Sequence, residues 1–200
     1  MVDLLDPPQA IASFPYQDVK DGFGLQTLYG YAARKTDGTY DYLLSPDIVY
    51  SSDTDLDSLT INSNTTLTFY SGEFNRPRTM NGTLAVNFCT GINAGGGETT
   101  NTVKLYHYDG TTSTQLGSTW TGSTYSGSTI KIDTATFTVN SQRFKKGDSI
   151  KIEVALNHTT AIQRWIGVDP QNRDGTFIVP STNAGATTQF MVRAPFKLDY

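Results

Sequence analysis

Residues 130–156 read IKIDTATFTVNSQRFKKGDSIKIEVAL, and the period of that stretch settles the secondary structure. In its second half Ile150, Ile152, Val154 and Leu156 alternate with Lys151, Glu153 and Ala155. A period of two places alternate side chains on opposite faces of a strand, with the apolar set turned inward. Ile130, Ile132, Phe137 and Val139 form the apolar pattern of the strand before it. Lys145-Lys146-Gly147-Asp148 between them reads as a turn. Glycine supplies the backbone freedom there and aspartate the cap.

The same pattern recurs on both sides. Phe23, Leu25, Thr27, Tyr29 and Tyr31 alternate before an Asp37-Gly38 turn, and Tyr40, Tyr42 and Leu44 follow it. An Asp-Gly pair between alternating stretches is a hairpin signal. Leu59 and Ile61, then Leu67 and Phe69, mark two halves of another strand region, with Gly72 to Pro77 a loop after it. Leu84, Val86 and Phe88 mark a strand, and Gly91 to Thr100 reads as a flexible connection. Val103, Leu105 and His107 face opposite Lys104, Tyr106 and Tyr108. Thr111 to Gly127 reads as a ragged hairpin or exposed loop with a short strand. Ile162 to Val168, Thr176 to Val179 and Gln189 to Leu198 complete the series. In the last of these, Pro195 predicts an edge or an irregularity. Nine to eleven short strands without a helix predict a sandwich or barrel.

Composition agrees. The 200 residues are 37% hydrophobic and 17% charged, with 18 Gly, 11 Tyr and 10 Phe. That is a β-rich balance, and a helical bundle would carry more Ala, Glu, Lys and Leu. The formal net charge of −4 offers no general attraction to phosphate backbones, so no nucleic-acid partner is expected. No apolar run reaches the length that spans a bilayer, and MVDLLDPPQA lacks the charge and apolar core of a secretory signal. No membrane partner is expected. The single Cys89 cannot form an internal disulfide.

Domain organisation follows. Pro7, Pro8 and Pro15 in residues 1–22 forbid a continuous helix, yet Leu4, Leu5, Ile11, Phe14 and Tyr16 are apolar. The segment reads as an extended N-terminal arm that packs on its own domain or on a partner. Residues 23–200 read as one β-sandwich domain.

Chemistry is sparse. His107 and His158 are the two histidines, and neither sits in a nucleophile motif. Asp53, Asp55 and Asp57 begin like a calcium loop, but Ser58 stands where glycine is needed and no glutamate closes it. Gly95-Gly96-Gly97 lacks the lysine of a phosphate-binding loop. No catalytic residue, metal ligand or cofactor-binding residue is singled out, no cofactor is expected, and the chain reads as no enzyme. The aromatic residues Trp120 and Tyr125 in the polar stretch, with Phe14 and Tyr16 in the arm, are the candidate partner contacts.

The segment Phe144-Lys145-Lys146-Gly147-Asp148-Ser149-Ile150-Lys151-Ile152-Glu153-Val154 resembles the turn and strand late in jelly-roll domains, virion ones among them. The ending, from Trp165 through Asp169-Pro170-Gln171-Asn172-Arg173 to Ala194-Pro195-Phe196-Lys197-Leu198-Asp199, is similar to the C-termini of tailed-phage capsid decoration (cement) proteins. The resemblance covers mainly residues 130–200. It implies an antiparallel jelly-roll-like β-sandwich that binds the outer surface of a phage head through the major capsid protein. It also implies a homo-oligomer, a trimer in first place, made in the host cytoplasm and located on the virion. It carries over no catalytic or ligand residue. The alternative on the aromatic residues is a receptor- or glycan-binding β-sandwich module, of a tail fibre or similar, anchored by Trp120 and Tyr125.

Overall fold

The alternating stretches become twelve strands in a computed structural model, which describes residues 23–36, 40–48, 64–94, 97–127, 130–159, 163–170 and 189–197. The strands are β1 (Phe23–Arg34), β2 (Tyr40–Ser45), β3 (Thr65–Ser71), β4 (Arg78–Ala94), β5 (Glu98–Tyr108) and β6 (Ser113–Gln115). They continue with β7 (Trp120–Thr121), β8 (Tyr125–Ser126), β9 (Ile130–Phe144), β10 (Ser149–His158), β11 (Gln163–Ile166) and β12 (Phe190–Lys197). There is no helix among the described residues. The protein is all-β and sandwich-like. The arm with Phe14 and Tyr16, the Asp37-Gly38 turn, the Asp53–Asp57 loop, Leu59 with Ile61, and the Thr176–Val179 strand lie outside the described residues.

One curled sheet runs β9-β4-β12-β1-β2-β3-β10-β5, with β11 also on β4 and with β6, β7 and β8 on β5. Its pairings are antiparallel except β2 with β3, where Tyr42, Leu43 and Leu44 run parallel to Phe69, Tyr70 and Ser71. That corrects the wholly antiparallel expectation. A parallel pair needs a long crossover, and residues 46–64 separate these two strands.

The curl brings the inner faces together. Phe69 of β3 stacks on Phe190 of β12, with centroids 4.2 Å apart and planes at 10°. Leu84, Val86 and Phe88 of β4 and Ile150, Ile152 and Val154 of β10 join the same core, none more than 1% exposed. All four inward residues read on the last strand, Phe190, Val192, Ala194 and Phe196, are buried. Pro195 marks an irregularity: the pairing of β12 with β4 shifts between Arg193 and Phe196. Gly82, at φ 123°, lies opposite, and a Cβ there would come 3.3 Å from the proline ring.

Three expectations are corrected. Ile130 and Ile132 do not share the face of Phe137 and Val139. Ile132 is 60% exposed, and the buried series on β9 is Asp133, Ala135, Phe137 and Val139. Asp133 faces inward because Asn101 of β5 donates to its Oδ2 at 2.9 Å. The flexible connection expected from Gly91 is instead the end of β4, which continues to Ala94. Trp165 of β11 lies against Gly91 there; a Cβ at that position would meet the indole at 2.3 Å. The Thr111–Gly127 stretch contributes three short strands, all paired with β5.

Candidate functional site

The chemistry gathers at the end of the sandwich where β1, β4 and β10 begin and β3, β5, β9 and β12 finish. The loop Gly72-Glu73-Phe74-Asn75-Arg76-Pro77 crosses this end between β3 and β4. Its anchor is Phe74, whose N–H donates to the Asp148 carbonyl at 2.8 Å and whose carbonyl accepts from the Gly147 N–H at 3.0 Å. The ring packs edge-on against Phe144 and Phe196, at 5.3 and 5.5 Å between centroids.

The turn that holds Phe74 is itself braced. Gly147 has φ 91°, a conformation that favours glycine. Asp148 Oδ2 accepts the Lys145 N–H at 2.6 Å and lies 2.6 Å from His107 Nε2. Gln142 Nε2 is 3.3 Å from His107 Nδ1, so the ring donates from Nε2 to the carboxylate and accepts at Nδ1. Both ring nitrogens are therefore engaged in holding the turn. Burial pushes the Asp148 carboxyl up, but the Lys145 N–H and the His107 ring outweigh it and hold it below its usual range.

Arg78, the first residue of β4, lies over two of these rings. Its guanidinium carbon is 5.7 Å from the Phe74 centroid and 5.6 Å from that of Phe196, and Nη1 donates to Gln26 Oε1 at 2.9 Å. Stacking on aromatic faces and a fixed hydrogen bond orient a side chain that otherwise carries large rotamer entropy. Beside it opens a cleft of about 820 Å³ between the starts of β1 and β4, the ends of β2, β3 and β12, and the loop. That volume lies within the usual range for small-molecule sites. Leu25, Leu28, Leu44, Pro46 and Phe196 give it apolar walls. Arg76, Arg78 and Lys197 contribute three positive charges and Glu73 one negative charge. In a chain of net charge −4 this is a local reversal of sign.

Of the aromatic residues read as partner contacts in the sequence, the two that are described, Trp120 and Tyr125, lie away from this end. Trp120 is half-buried and packs against the core, edge-on to Phe88 at 6.3 Å. The Tyr125 hydroxyl is 2.8 Å from Thr90 Oγ1, and the Lys131 ammonium lies 5.3 Å from the Tyr125 ring centroid. Asn101 Nδ2 donates to Thr90 Oγ1 at 2.9 Å and so ties this tyrosine to Asp133. Cys89 is buried nearby against Trp165. Burial, with Asp133 adding to it, pushes its thiol up to about 12, so it stays neutral. Tyr106 and Tyr108 lie on the outer face of β5. The Tyr106 hydroxyl donates to Glu153 at 2.9 Å, and Lys151 sits 4.9 Å over its ring. No cluster of three His, Cys, Asp or Glu side chains capable of holding a metal ion occurs among the described residues.

The sequence reading passed over Arg76, Arg78 and the cleft. The available signal was Phe74, a lone aromatic in a polar loop flanked by Glu73, Arg76 and Arg78. The His107–Asp148 pair, 41 residues apart in sequence, left no local trace.

No protein-family model and no curated protein matches the chain. Among solved structures it is similar to a CocE/NonD family hydrolase from Staphylococcus aureus, at 8% identity and TM-score 0.46, over 87% of this chain and 37% of that one. It is also similar to an alpha-amino acid ester hydrolase, at 10% identity and TM-score 0.42, over 86% of this chain and 35% of that one. The chain thus spans little more than a third of the length of either protein. These findings correct two expectations, that of a capsid decoration protein with its tail-fibre alternative and that of a chain with no enzymatic activity. The structures matched are hydrolases, and neither expectation is carried forward. At such identity and TM-score the likeness assigns no activity and no residue role to this chain.

Proposed function

We propose that the chain is a ligand-binding β-sandwich module whose site is the Arg78 cleft, and that its ligand carries an anionic group. The observation that carries this reading is the fixed guanidinium. Phe74, Phe196 and Gln26 hold it at the wall of an open cleft, with Arg76 and Lys197 on the same lining. A guanidinium ordered before the ligand arrives loses little entropy on binding, and its planar fork matches two oxygens of one acid group.

Titration of the full chain with small anions at low salt, followed by calorimetry, tests the reading. Saturable binding is expected, lost in Arg78→Met and weakened about tenfold in Arg78→Lys, which keeps the charge without the fork. Binding unchanged in both variants, or none in the parent chain, contradicts it. The homo-oligomer implied by the resemblance stands as a separate proposal, read directly by light scattering of the purified chain.

A further inference from the structure

We infer that His107 is a positioning residue of the Arg78 site and that a proton added to its ring weakens anion binding there, an inference that rests on the anion-binding reading above. Continuous contacts lead from the imidazole to the guanidinium. The His107 ring lies edge-on to Phe144 at 4.7 Å between centroids, and Phe144 meets Phe74 at 5.3 Å and Phe196 at 6.4 Å. Arg78 lies over those last two rings, and Phe144 is its register partner across β4 and β9. A second route runs through Asp148, whose carbonyl takes the Phe74 N–H.

The hydrogen bonds around the ring suit its neutral form. Nε2 donates to Asp148 and Nδ1 accepts from Gln142, whose Nε2 also donates to the Arg143 carbonyl at 3.0 Å. A proton on Nδ1 turns it into a donor that faces the donor amide of Gln142. Only a flip of that amide offers it an oxygen, and the flip breaks the bond to Arg143. Either response disturbs the end of β9, where Arg143 and Phe144 pair with Thr79 and Arg78. The added charge draws little on an anion at Arg78, because Asp148 offsets it from 2.6 Å. Among the described residues, the charged groups facing the ring are Asp148 from the turn, with Lys145 beside it, and Asp109 at the end of β5. From β6, β9 and β10 the ring meets Thr114, Gln142 with Phe144, and Ile150, none of them charged. The Thr112 and Thr111 N–H groups hold the Asp109 carboxyl below its ordinary range, and Asp148 is held low as described, so both carboxylates keep their charge above about pH 5. Imidazole is the side chain whose chemistry suits a change of charge between about pH 5 and 8.

Calorimetric titration of the full chain with sulfate, whose own charge is constant over this range, tests the inference at about pH 8 and pH 5.5 and at fixed ionic strength. Affinity is expected to fall about three- to tenfold from the higher pH to the lower, the effect of one hydrogen bond lost. His107→Gln keeps a donor toward Asp148 but takes up no proton, and its affinity is expected to be the same at both pH values. Gln142→Glu keeps the imidazole and gives the protonated ring an acceptor, so the fall is expected to shrink or reverse; this variant decides the matter if His107→Gln does not fold. Equal binding at the two pH values in the parent chain, or tighter binding in acid, overturns the inference and leaves anion binding standing. A fall that persists in His107→Gln, or one undiminished in Gln142→Glu, does the same. No sulfate binding at either pH overturns both readings.

Discussion

At the scale of single residues, Asp148 connects the turn to the cleft. Its carboxylate takes the Lys145 N–H and the His107 ring, while its backbone carbonyl takes the Phe74 N–H. Arg78 then stacks on the Phe74 ring that this arrangement fixes. Because the folded carboxyl is held below its ordinary value, the stabilisation it supplies is complete above about pH 4 and is lost as pH falls through the lowered value. The expected outcome is that Asp148→Asn lowers stability by about 1–3 kcal/mol at pH 7, and that the gap to the parent chain closes in acid. Urea unfolding at pH 7 and at pH 3 measures both. A gap of the same size at the two pH values contradicts a role for the charge. Of these residues the sequence exposed only part: Gly147 and Asp148 are recognisable as a turn, but a partner 41 residues away on another strand is a product of the register between β5 and β10. Arg78 is hidden for a similar reason, since its two aromatic neighbours come from a loop and from the last strand.

At the scale of elements, alternation identified the strands wherever one face alone is buried. β10 and β12 are the clear cases, with Ile150, Ile152 and Val154 and then Phe190, Val192 and Ala194 turned inward. It misled on β9, because Asp133 takes an inward position for the sake of Asn101 and Ile132 is left outside. It also stopped short on β4, where Cys89 to Ile92 are buried in succession and periodicity has nothing to alternate with. A single side chain explains the difference: Trp165, on the strand paired with this end of β4, packs with Cys89 on the outer face, and Gly91 makes room for it. Gly91→Ala is accordingly expected to destabilise the fold by about 1–3 kcal/mol despite its higher strand propensity, through overpacking against the indole. Denaturant midpoints of the two proteins decide this. A neutral or stabilising substitution contradicts the packing described for β11.

At the scale of the whole molecule, the curled sheet has two ends with different chemistry. One end joins Thr90, Asn101, Tyr125 and Asp133 in a hydrogen-bonded group that fills the space between the strands. The other end carries aromatic rings, a fixed arginine and an open cleft. The aromatic signal in the sequence drew attention to Trp120 and Tyr125 at the first end, whereas the cleft needs four separate stretches of chain to exist and so has no motif. The proposal of ligand binding at the second end is tested most directly by a two-dimensional NMR titration of the full chain with small anions, acetate and inorganic phosphate. Saturable amide shifts confined to the neighbourhood of Gln26, Gly72, Phe74, Arg78 and Lys197 are the expected result. Shifts centred on Trp120 and Tyr125, or no saturable shift at all, would contradict it.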